Sequence, residues 1–113
     1  MKIIFDKISL EEIRTMAQKM FGGLVKAVVD IERGIMAIDG ELHADEELIL
    51  IEDGSKRENL WGINIYPERP EKERMEFDSM INLKPHLGNR TRGVDDPAIR
   101  EKIIKIVNKL ISQ

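Results

Sequence analysis

The chain of 113 residues contains no cysteine. That absence excludes disulfides and thiolate metal sites, and it suits a reducing compartment. Aromatic residues are scarce, with one Trp, one Tyr and three Phe. So thin a supply makes a poor base-stacking surface, and the net charge is −3. Nucleic-acid binding is therefore disfavoured. Long apolar runs are also missing. Stretches such as Leu48-Ile49-Leu50-Ile51 are far too short to span a bilayer, so no membrane association is expected. The opening Met1-Lys2-Ile3-Ile4-Phe5-Asp6 lacks the apolar length of a signal peptide, and a cytoplasmic location is expected. His-Glu-x-x-His and the phosphate-binding Gly-x-x-x-x-Gly-Lys-Ser/Thr do not occur. Ser79 has no His and Asp partners at a diagnostic spacing, so nucleophilic catalysis has no support.

Charge is plentiful and unevenly placed. Charged residues make up 35% of the chain and hydrophobic ones 42%, the mix of a folded domain with a heavily charged surface. Residues 1–54 carry 6 Lys/Arg against 12 Asp/Glu, whereas residues 55–113 carry 12 against 9. Gly34 to Ser55 holds seven acids and no base, and Ser79 to Val94 holds three bases and no acid. Such asymmetry suits an anionic ligand at the basic end, or two subunits meeting acid to base, as well as plain solvated surfaces.

Both ends of the chain read as helices. Ser9 and Glu12 form a capping box, and Ile8 and Ile13 a hydrophobic staple around it. Leu10, Ile13, Ala17, Met20 and Leu24 recur at helical spacing, and Gly22-Gly23 supplies a helix stop. Near the other end Asp96 caps a helix with Pro97 in its first turn. Ile99, Ile103, Ile106, Val107 and Leu110 form its apolar stripe.

Between the helices the period changes to two, and strands are expected at Val25–Ile31, Ile35–Leu42, Leu48–Glu52, Leu60–Tyr66 and Met75–Leu83. Met1–Phe5 offers a further edge strand, and Ala44-Asp45-Glu46-Glu47 leaves room for a helical turn. The expected fold is one α+β domain over residues 1–113. It is a two-layer sandwich, a mainly antiparallel sheet of about four to six strands with an N-terminal and a C-terminal helix packed on it.

Three sequence blocks are distinctive. The first is Val28-Val29-Asp30-Ile31-Glu32-Arg33-Gly34-Ile35-Met36-Ala37, followed by Gly40-Glu41-Leu42-His43-Ala44-Asp45. The second is Glu52-Asp53-Gly54-Ser55, followed by Asn59-Leu60-Trp61-Gly62-Ile63-Asn64. The third is Glu76-Phe77-Asp78-Ser79-Met80-Ile81-Asn82-Leu83, then Gly88-Asn89-Arg90 and Gly93-Val94-Asp95-Asp96-Pro97. Together they span nearly the whole chain and resemble the DUF5674 family. The resemblance implies a single small prokaryotic domain and carries no assigned activity.

Two segments gather groups able to do chemistry. The loop from Lys84 to Gly93 holds Lys84, His86, Asn89, Arg90, Thr91 and Arg92, with Gly88 and Gly93 to bend it. Guanidinium forks fit carboxylate or phosphate, and a helix N-terminus follows close behind. Asp95 and Asp96 at that helix start oppose an anion there, and Arg90 and Arg92 could instead pair with the chain's own acids. The second segment is Glu41, His43 and Asp45, which share one face if the segment is a strand. They could ligate a divalent metal with Asp39 alongside, or form an ordinary solvated acidic face. Asp30 and Glu32 share a strand face too, a commonplace arrangement for surface carboxylates.

The favoured expectation is a non-enzymatic binding or interaction domain. Its basic loop would meet an anionic small molecule or an acidic partner surface, and the chain would pair with itself as a homodimer. No cofactor is expected. The alternatives are a small metal-dependent, hydrolase-like enzyme built on the acidic and His face, and a regulatory subunit of a larger complex.

Overall fold

The computed structural model describes residues 1–20 and 22–113, with Phe21 outside the described residues. In chain order the strands are β1 (Lys2–Ile4), β2 (Ile8–Ser9), β3 (Val25–Asp30), β4 (Ile35–Ile38), β5 (Leu60–Ile65), β6 (Met75–Glu76) and β7 (Ile111–Ser112). The helices are α1 (Leu10–Gln18), α2 (His43–Glu52) and α3 (Pro97–Leu110). Five strands form one sheet in the order β1-β4-β3-β5-β6, with every neighbour antiparallel. A separate pair joins β2 to β7 in parallel.

Local chemistry sets the helix starts. The Ser9 hydroxyl accepts a hydrogen bond from the Glu12 N–H at 3.1 Å. Glu12 does not return the bond and pairs with Lys2 at 2.9 Å, so half of the capping box forms. Asp96 accepts from the Ala98 N–H at 2.8 Å ahead of α3. The α1 helix ends at Gln18, before the Gly22-Gly23 stop, and those glycines adopt φ of 90° and 68° in the connection to β3.

The sheet separates two cores because alternate strand residues face opposite ways. Val25, Ala27 and Val29 of β3, Met36 and Ile38 of β4, and Trp61, Ile63 and Ile65 of β5 pack with α1 and α3. Val28, Ile35, Ala37 and Leu60 face the other way and meet Leu50 of α2. The class is therefore α+β with a mainly antiparallel five-stranded sheet carrying the N- and C-terminal helices. The α2 helix adds a cover on the opposite face that the two-layer expectation lacked.

Three expected strands differ. The Ile35–Leu42 strand stops at Ile38, where Asp39 turns to φ 70°. The Leu48–Glu52 strand is the C-terminal half of α2. The Met75–Leu83 strand keeps only Met75–Glu76 and gives way to a 3-10 turn at Met80–Asn82. There Ser79 accepts from the Ile81 N–H at 3.3 Å and holds the turn. Among the described residues no helix is long and apolar enough to cross a membrane.

Candidate functional site

Asn82 and Asn89 explain the shape of the basic loop. Both are buried. The Asn82 amide accepts from the Gly62 N–H at 2.8 Å and donates to the Gly62 carbonyl at 3.0 Å. It takes the place of a neighbouring strand on β5 where β6 has already ended. It also donates to the Arg92 carbonyl at 2.9 Å. Asn89 donates to the carbonyls of Asn82 at 2.7 Å and Gly93 at 2.8 Å, and accepts from the Asp95 N–H at 2.7 Å. Asp95 in turn receives the Arg90 N–H at 2.9 Å and the Thr91 hydroxyl. Those bonds hold the Asp95 carboxyl below its usual range, the Thr91 hydroxyl first. The loop is thus braced from within, and its Leu87, Gly88 and Asn89 line a cleft of about 380 Å³ together with Asp95 and Asp96 at the start of α3.

Its cations go to different places. Lys84 is buried, donates to the Ile81 carbonyl at 2.8 Å, and lies 5.2 Å from the centre of the Trp61 ring. Desolvation lowers its pKa. His86 is exposed and lines a cleft with Glu47, Arg57 and Lys84. Arg90 is exposed, and the carboxylate of Asp95 meets its backbone and not its side chain. Arg92 pairs through Nε with Asp78 at 2.7 Å, and both side chains remain about half exposed. Of the loop residues only Arg92 reaches the cleft described next.

The proposed metal triad is not assembled. Glu41 and Asp45 line one cleft with Met1, Asp39 and Leu48, and His43 lines another. Among the described residues no three His, Asp or Glu gather in a way that could hold a metal ion. The expectation rested on strand spacing, and the segment is the start of a helix, where alternate residues diverge by about 200°. Asp30 and Glu32 are also engaged in structure. Asp30 accepts from the N–H groups of Glu32 at 2.9 Å and Arg33 at 3.0 Å, closing the β3–β4 turn, and Glu32 accepts from Asn59 at 2.7 Å.

On the α2 side of the sheet, a cleft of about 310 Å³ is lined by Lys26, His43, Asn64, Asp78, Ser79 and Arg92, with Leu42, Ala44, Met80 and Ile81 around them. Gly62 lets it close. A Cβ there would sit 2.6 Å from Ser79 Oγ and 3.2 Å from His43 Cδ2. The buried positions of α2 are His43, Glu46 and Leu50, so two of the three residues turned to the sheet are ionisable. His43 meets the Ile63 carbonyl at 2.7 Å through Nε2. A carbonyl only accepts, so Nε2 carries the proton. Burial drives the His43 pKa below its ordinary 6.5, and the bond to Ile63 offsets this in part. The ring is therefore neutral at neutral pH, and Nδ1 presents a lone pair. Glu46 accepts from the Gly40 N–H at 2.8 Å, and burial pushes its carboxyl up to about 9.

Two further features bear on chemistry. The N-cap of α2 is Leu42, whose side chain makes no capping hydrogen bond. The first N–H groups of α2 thus have no side-chain partner, and Leu42, His43 and Ala44 at that helix start line the cleft. Asn64 is buried beside Glu76 and Asp78, donates to Glu76 at 2.9 Å, and leaves its Oδ1 without a partner. Sequence reading picked Arg92 and His43 but missed Lys26, Asn64, Asp78 and Glu46. Gly62 inside a strand was the available signal, since an interior glycine marks a close approach.

A family model described as a protein of unknown function (DUF5674) matches residues 2–110. No curated protein and no solved structure matches the chain.

Proposed function

We propose that this chain, which belongs to the DUF5674 family, is a binding domain that takes a small anionic group, a carboxylate or a phosphate, in the cleft beside Arg92. The observation that carries the reading is the state of that arginine. Its Nε is engaged by Asp78, while the Nη fork has no hydrogen-bond partner among the described residues. A fork of that kind binds a planar or tetrahedral oxyanion through two parallel bonds. Lys26 lines the same cleft, and so does the uncapped start of α2. Exposed N–H groups and the positive end of the helix dipole favour an anion at that spot. Neutral His43 adds no charge.

Side-chain truncation at Arg92 separates binding from folding. The Arg92 side chain adds one half-exposed pair with Asp78, which is worth little to stability, whereas the fold uses its backbone, whose carbonyl receives the Ser79 N–H at 2.9 Å and the Asn82 amide at 2.9 Å. Titration calorimetry with inorganic phosphate and with acetate should detect binding to the native chain. Arg92→Ala should weaken it by roughly tenfold or more, the worth of a charged hydrogen bond, with an unchanged circular dichroism spectrum. Equal affinity in the two proteins would end this reading.

A second reading, self-association, is favoured by Met80 and Leu83, which stay exposed around the cleft shared with Glu47, Arg57 and His86. Exposed apolar residues gathered about charged ones suit a contact between copies. Light scattering should then give twice the monomer mass, and Met80→Lys with Leu83→Lys should return the monomer. A native chain of monomer mass rules it out.

A further inference from the structure

We infer that the ligand of this cleft is an aliphatic amino acid, bound through both its carboxylate and its ammonium group. The inference rests on the anion-binding reading and adds a second pole to it.

Several polar groups of the cleft lack a donor. Asn64 is only 6% exposed. Its Nδ2 faces Glu76 Oε1 at 2.9 Å and the Asp78 carbonyl at 3.4 Å. Both are acceptors, so the amide orientation is fixed, and the leftover atom is an acceptor. That atom, Oδ1, is buried without a partner, a costly condition that a donor would relieve. His43, 8% exposed, has its one proton on Nε2 facing Ile63, which leaves Nδ1 as a second acceptor. Asp78 adds a carboxylate of which Oδ1 alone meets Arg92. Asn64, His43 and Asp78 all line the cleft, each with an acceptor that meets no donor among the described residues, and Asp78 is anionic. An ammonium group, with three donors and a positive charge, matches that set.

The opposite demand comes from Arg92, Lys26 and the start of α2, which call for an anion. A ligand with a single charge leaves one of the two sets unmet. Leu42 and Met80 are among the most exposed apolar side chains of the chain, at 58% and 63%. Together with Ala44 and Ile81 they give the cleft an apolar side, suited to a hydrocarbon side chain. Its volume of about 310 Å³ holds one small molecule and no more.

The test uses the native chain and three related probes: L-leucine, 4-methylpentanoate, which is leucine without its amino group, and 3-methylbutylamine, which is leucine without its carboxylate. Calorimetry should show L-leucine binding roughly tenfold or more tighter than either single-charge probe. Leucine and 4-methylpentanoate binding alike, both weakened by Arg92→Ala, would overturn the inference and leave the anion reading intact. Failure of phosphate, acetate and all three probes would remove both. Asp78→Asn sharpens the result. It removes the negative pole, retains the backbone carbonyl that meets Asn64, and releases Arg92. It should weaken leucine while leaving 4-methylpentanoate as tight or tighter. An equal loss for both probes would count against a role for Asp78 in holding ammonium and so overturn the proposal.

Discussion

Glu46 has no ion pair among the described residues, lies fully buried, and rests one oxygen on the Gly40 N–H. Burial pushes its carboxyl from 4.5 up to about 9. Between those values the unfolded chain gives up the proton and the folded chain keeps it. Rising pH therefore favours unfolding across that window, by about 1.4 kcal/mol per unit at most. His43 acts in the opposite sense. Its folded pKa lies below 6.5, so its stability penalty is felt at low pH and vanishes above that value. Urea unfolding from about pH 7 to about pH 8.5 lies above the His43 window and should show the fall in stability that Glu46 causes. Glu46→Gln should flatten that fall and be the more stable protein at the upper end. An equal slope in both proteins would remove Glu46 as the cause. The Asp39 φ of 70° and the tight Gly40 next to it belong to the same corner. A Cβ on Gly40 would meet Glu46 Cγ at 2.7 Å, so the carboxyl holds its place only because residue 40 is glycine.

At the scale of elements, the helices at the two ends were legible because caps and apolar stripe coincide there. Ser9 and Asp96 both cap as their sequences predict. The α2 helix was legible only as a helical turn at Ala44-Asp45-Glu46-Glu47. Its run Leu48-Ile49-Leu50-Ile51 imitates a buried strand, and its inward face begins with His43 and Glu46, so the 3.6-residue period of apolar residues never shows. The alternation after Met75 misled in the same way. Phe77, Ser79 and Ile81 do alternate, yet the hydroxyl of Ser79 and the amide of Asn82 draw the backbone into a 3-10 turn. The candidate site inherits both misreadings, since it lies between those two elements. The Lys84–Gly93 loop looked like a binding loop because amides and cations look alike whether they meet a ligand or their own backbone, and Asn89 does the latter. Asn82 should matter most here. Asn82→Ala strips the edge of β5 and the Arg92 carbonyl of their partners, and should cost roughly 2–4 kcal/mol, read as a lower urea midpoint. A loss below about 0.5 kcal/mol would mean that water replaces the amide without penalty.

Across the whole molecule, the acidic first half and the basic second half do not neutralise one another in one seam. Arg14–Glu68 at 3.2 Å and Arg57–Glu47 at 3.6 Å join them, with at least one partner well exposed in each pair, so each adds little stability. What holds the two ends is the β2–β7 pair. Ile8 lies opposite Ile111 and both are buried, while Lys7 donates to the Lys109 carbonyl at 2.8 Å. A chain ending at Leu110 should lose about 2–4 kcal/mol, the worth of a buried Ile with its ladder bonds, visible as a lower thermal midpoint. An unchanged midpoint would make the pair ornamental. The pairing also has a consequence in time. Protein synthesis runs from the first residue to the last, so β2 emerges early and waits for a neighbour encoded about a hundred codons later. Until Ile111 and Ser112 are made, Ile8 lacks its strand neighbour and has only the rest of the core to cover it, and a chain released before them leaves the ribosome with that greasy seam unzipped.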